Sequence, residues 1–143
     1  MEEIIIAATN ESKLDFWLNV IDISTDLDSM AILMEENNLI GIKKKRIKES
    51  PIPLILIVGD ESRNFTNQQR EDILADIKEI AKQKKMVILN KTLAKQLSIS
   101  PSGLHYYGVR AIVEETMSMI LIANVLQMVY DGGIYIEPIV QVI

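Results

Sequence analysis

Apolar residues in this chain come in short runs. Ile4-Ile5-Ile6-Ala7-Ala8, Leu54-Ile55-Leu56-Ile57-Val58 and Met86-Val87-Ile88-Leu89 are unbroken, the pattern of strands buried on both faces, and Val109 to Val113, with Arg110 inside it, reads as a short buried strand. Met30 to Met34 is a further short run of the same kind. Between the runs the period changes to that of a helix. Leu14, Trp17, Leu18 and Ile21 share one face, as do Ile73, Leu74, Ile77, Ile80 and Ala81. Leu93 to Leu97 predicts a short helix, broken by Ser100-Pro101-Ser102-Gly103. Asn37 to Glu49 mixes isoleucines with Lys43-Lys44-Lys45-Arg46 and Lys48, and fits a helix or a long loop.

Punctuation supports these boundaries. Asn10 is placed to cap the first helix, and Thr66 with Gln69 forms a capping box for the helix running to about Lys84. Pro51 and Pro53 fence the third strand, and Gly59-Asp60-Glu61-Ser62 is a turn by composition. Thr116 or Ser118 caps the last helix, Gly132 and Gly133 stop it, and Ile134-Tyr135-Ile136 is expected to lead away from the domain. Strands alternating with helices predict an α/β domain with a parallel sheet covered on both faces. The length fits one domain, residues 1–143.

Composition removes several function classes. There is no cysteine and only one histidine, His105, so thiolate and histidine-rich metal sites are excluded. A formal charge of −5 argues against the whole domain binding nucleic acid. The acidic N-terminus is unlike a signal peptide, and Met117 to Tyr130 falls short of the roughly 20 apolar residues of a membrane span. A cytoplasmic protein without membrane attachment is expected.

The stretch from Gly108 to Pro138 resembles the end of a bacterial response-regulator receiver domain, of the kind joined to LuxR-type helix-turn-helix transcription regulators. That family's pattern is roughly Gly-x-x-Gly-Tyr-Leu-Leu-Lys, a helix, then Gly-Gly-x-Tyr-x-x-Pro. It lays onto this chain without a gap and is specific at Gly108, Gly132, Gly133, Tyr135 and Pro138. The resemblance implies a flavodoxin-like (CheY-like), doubly wound sheet of five parallel strands in the order 2-1-3-4-5, with function at the carboxyl ends of the strands.

A working receiver, as the resemblance implies, carries an acidic pair after strand 1 and an aspartate after strand 3. It also carries a hydroxyl residue after strand 4 and a lysine after strand 5. The aspartate accepts a phosphoryl group, the acidic pair holds Mg²⁺, and the lysine neutralises phosphoryl oxygens. In this chain the corresponding positions are Ala8 and Thr9, then Val58 or Gly59 with Asp60 beyond, then Asn90 and Lys91, then Glu115. Those residues supply neither the metal ligands nor the cation. The expectation is an atypical, phosphorylation-independent receiver, not an enzyme and without a cofactor. A conventional phosphoacceptor using Asp60 is the alternative, and a stand-alone protein-interaction module of the same fold is another.

The last helix is apolar over more than half its circumference. Ile122, Leu126 and Val129 are expected to face the sheet, with Asn124, Gln127 and Asp131 opposite. The flanks Met119, Leu121, Val125, Met128 and Tyr130 predict a homodimer through this helix. DNA would be reached only through a helix-turn-helix, which this sequence does not contain. The lysine run is read as a solvated face. A nucleotide second messenger would need arginines at a subunit contact, and Arg63, Arg70 and Arg110 form no recognisable pattern. His105-Tyr106-Tyr107 is read as packing beneath the sheet edge.

Overall fold

A computed structural model describes residues 2–34, 44–59, 64–90 and 92–135. Five parallel strands, β1 (Ile4–Ala8), β2 (Ser29–Leu33), β3 (Leu54–Val58), β4 (Lys85–Leu89) and β5 (Val109–Val113), form one sheet in the order β2-β1-β3-β4-β5. This is the flavodoxin-like (CheY-like) arrangement, in which strand order reverses beside β1. The pairing registers Ile4 with Ser29 and Leu54, and Leu54 with Lys85, so the carboxyl ends of the central strands line up on one rim.

The unbroken apolar runs are explained by the two faces. Ile4, Ile6 and Ala8, with Leu54, Leu56 and Val58, point to one side. There they meet Leu14, Trp17 and Ile21 of α1 (Glu11–Ser24) and Ile122, Val125, Leu126 and Val129 of α6 (Met119–Tyr130). Ile5, Ala7, Ile55 and Ile57 point to the other. That face is covered by α2 (Lys44–Glu49), α3 (Asn67–Ala81), α4 (Thr92–Gln96) and α5 (Pro101–Tyr106). β2 is an edge strand with one fully buried residue, Ile32, which accounts for its weaker sequence signal.

The caps behave as the sequence indicates. Asn10 Oδ1 accepts from Lys13 N at 3.0 Å, Thr66 and Gln69 close a reciprocal capping box, and Ser118, not Thr116, caps α6. Gly132, at φ +102°, turns the chain after α6, while Gly133 N donates to Met128 O at 2.8 Å. Three expectations are corrected. Ser100-Pro101-Ser102-Gly103 does not only break α4 but starts α5, with Ser100 as its cap and Pro101 in the first turn. The chain does not lead away at Tyr135, because Tyr135 N donates to Arg110 O at 2.9 Å and its side chain packs on the α1/α6 core. Within the aromatic cluster Tyr107 packs against the core, but Tyr106 is exposed.

Candidate functional site at the carboxyl rim of the sheet

The rim is built from the residues that follow each strand. Ala8 ends β1 fully buried, and its carbonyl accepts from Met34 N at 2.7 Å. It is a methyl group in the core, not a metal ligand. Thr9 is half-buried where the chain turns into α1. Val58 is buried in the α1/α6 core, and Gly59 lies beneath the start of α4. A Cβ added at Gly59 would sit 3.2 Å from Leu93 Cβ and 3.5 Å from Leu93 N. A side chain at Gly59 would therefore need Leu93 to give way by a few tenths of an ångström. Asp60 and Lys91 lie outside the described residues, as do Arg63 and residues 35–43.

Asn90 closes the rim between β4 and β5. Its backbone N–H donates to Val113 O at 2.8 Å, and its Oδ1 accepts from Thr92 N at 2.9 Å, capping the first turn of α4. The side chain is buried, and its Oδ1 is used on the backbone. It links β4, β5 and the start of α4 through these two bonds.

Glu115, two residues beyond β5, takes the position of the expected lysine. Its Oε1 accepts a hydrogen bond from Lys13 Nζ at 2.6 Å, and both side chains are about one-third exposed (29% and 34%). Relative to the receiver pattern the charges are exchanged across the site: the cation stands on α1 beside β1, and the anion stands after β5. Lys13 was missed in the sequence reading. The available signal was its place in the first turn of α1, where the helix dipole disfavours a cation and a compensating anion is called for. Among the described residues no group of three or more histidine, aspartate or glutamate side chains is arranged to hold a metal ion.

The α6 surface is a second candidate site. Met119, Leu121 and Met128 are exposed. Ile120 is more exposed still, at 76%, and heads the polar stripe of Asn124, Gln127 and Asp131. Val125 is corrected: it is buried, packed in the α1/α6 core. It follows Ile122 by three residues and precedes Val129 by four, so it belongs to the sheet-facing row. Tyr130 is half-buried and held within the monomer, its carbonyl accepting from Lys85 Nζ at 2.5 Å. The phenol bonds to Glu3, and that bond, with burial and the Glu3 charge, pushes its pKa up.

Elsewhere several of the described basic residues are engaged. Lys44 contacts Asp76 and Glu79, each at 3.0 Å, and Lys48 contacts Glu79 at 2.5 Å, tying α2 to α3. Arg70 bonds Ser98 and Asn67, and Arg110 bonds the Gly132 carbonyl. No described helix is long and apolar enough to cross a membrane.

No family model matches the chain, and no curated protein matches it. Solved structures do. The chain is similar to a Burkholderia thailandensis protein assigned to pilus assembly (cpaE), at 12% identity and a TM-score of 0.68, covering 92% of this chain and all of that one. A pilus assembly-related protein of Burkholderia pseudomallei matches at 10% identity and 0.67, covering 94% and 93%. A LuxR family DNA-binding response regulator from Silicibacter pomeroyi matches at 9% identity and 0.63, covering 96% and 98%. The likeness is one of fold: this chain has the architecture of response-regulator receiver domains.

Proposed function

We propose that the chain is a receiver-like regulatory module that works without phosphoryl transfer, in the cytoplasm, as a homodimer docked through α6. The observation that carries this reading is the Lys13–Glu115 pair. A dianionic phosphoryl group at this rim would meet the Glu115 carboxylate where a receiver offers an ammonium. The closed approach of Gly59 to Leu93 and the use of the Asn90 side chain as a helix cap support it further. For the dimer, the support is the exposed apolar set Met119, Ile120, Leu121 and Met128. A leucine-sized side chain moved from water into an interface contributes about 1.5–3 kcal/mol, so a few of these suffice.

The test uses a small phosphodonor with Mg²⁺, followed by the intact mass. No mass gain is expected in the wild type. A phosphoryl-sized gain that disappears in Asp60→Asn would establish conventional phosphoacceptance instead.

A second reading concerns what the module regulates. The sequence pattern points to a LuxR-type transcription regulator. The fold likeness to the two pilus-assembly proteins, at TM-scores of 0.68 and 0.67 beside 0.63 for the LuxR family protein, supports a module of a pilus-assembly protein as the second reading. Sequencing the native reading frame beyond Ile143 separates the two: a helix-turn-helix there supports the transcription regulator, and any other domain counts against it.

A further inference from the structure

We propose that the Lys13–Glu115 ion pair is a positioning latch for the first turn of α6, and through it for the exposed apolar face that begins there. The part concerning docking rests on the dimer proposed above; the part concerning the position of the turn stands without it.

The two ends of the pair stand on different elements. Lys13 sits in the capped first turn of α1, one turn before Trp17, whose side chain is fully buried in the core that α1 shares with α6. Glu115 sits in the short connection between β5 and α6, where Met117 N donates to Glu114 O at 3.1 Å and the Met117 side chain is half-buried. The ion pair joins positions 102 residues apart and ties the connection before α6 to the first turn of α1. Three residues after Glu115 comes Ser118, the cap of α6, and directly after it Met119, Ile120 and Leu121, all exposed. Any shift of the connection is passed to these three side chains, because the cap and the first turn move as one unit. Lys13 and Glu115 are thus positioning residues: neither belongs to the apolar face, and both fix where it lies. Charge at the rim, which in the resembling family governs a phosphoryl group, here governs the entry of α6.

The experiment compares the wild type with Lys13→Met, Glu115→Gln and the reversed pair Lys13→Glu/Glu115→Lys. Amide hydrogen exchange of residues 114–121 reads the latch, and sedimentation equilibrium reads the dimer. Each single variant is expected to speed exchange in this segment about two- to fivefold and to weaken the dimer by a similar factor, the effect of a partly exposed ion pair. The reversed pair is expected to restore both. Equal exchange in all four proteins would overturn the latch, and so would faster exchange that the reversed pair fails to restore. A wild type that is monomeric at every concentration would defeat the dimer reading, and the exchange data would still decide the latch. Altered exchange with an unchanged dimer constant would overturn the link from latch to docking face.

Discussion

Asn90 holds a backbone φ of +112°, a conformation that costs an ordinary L-residue about 1–2 kcal/mol and that asparagine tolerates better than most. The reward is local. In that conformation its N–H reaches Val113 O while its side chain turns back to cap Thr92 N. Asn90→Ala should lose both the tolerance and the cap, about 2 kcal/mol in all. Asn90→Gly should lose only the cap, about 1 kcal/mol. Urea denaturation of the two variants checks the order, and equal losses would show that backbone strain plays no part. Lys84 is another residue whose role the sequence hides. It is almost fully buried, its ammonium donating to the carbonyls of Ser50 and Ile52 at 2.6 and 2.5 Å, and burial pushes its pKa down. In the sequence it is one lysine among several after a helix.

Among the elements, α6 shows where a helical wheel succeeds and where it stops. The wheel placed Ile122, Leu126 and Val129 on the sheet correctly, but drew the buried arc too narrow and left Val125 outside. A helix lying over a sheet buries neighbouring i, i+3, i+4 and i+7 positions together. The consequence is testable. Val125→Glu should unfold the monomer, since it forces a carboxylate into the core. At a concentration where the wild type is monomeric, Ile120→Glu and Met128→Glu should leave the melting temperature within about 2–4 °C of it, as surface changes of about ±0.5 kcal/mol do. They should dissociate the dimer, as read by light scattering. A Val125→Glu protein that stays folded and becomes monomeric would return Val125 to the interface. α5 was missed for a different reason: Ser-Pro marks a helix start as readily as a break, and only six residues follow before β5 begins its approach.

At the scale of the molecule, the sheet was legible because a strand buried on both faces needs an unbroken apolar run, and β1, β3 and β4 each have one, while β5 is interrupted only by Arg110. Half of the rim was legible as well, in that Ala8, Thr9 and Glu115 can be read one at a time. Lys13 could not be, because its partner is 102 residues away and the pair exists only once β1 and β5 have joined the same sheet. The α2–α3 contact was hidden in the same way, since the lysine run gives no sign of which carboxylates it meets. That contact gives stability a pH dependence of definite sign. The hydrogen bonds from Lys48 and then Lys44 hold the Glu79 carboxyl at about 2, below its ordinary 4.5. The folded chain therefore binds fewer protons at this site than the unfolded chain between those two values. The contribution of Glu79 is complete above pH 4.5 and is lost as pH falls through the window toward 2. Lys44, raised by its bond to Asp76 and then by that to Glu79, contributes fully below its ordinary 10.5 and adds nothing to the acid limb. In thermal melts, Glu79→Gln should be less stable than the wild type at pH 7, and the gap should close progressively from pH 4.5 downward. The other carboxylates titrate in both proteins and cancel in the difference. Because the pair is open to solvent, raising the salt should narrow the gap at pH 7. A gap that is the same at pH 7 and at pH 3 would show that Glu79 acts through packing and not through its charge.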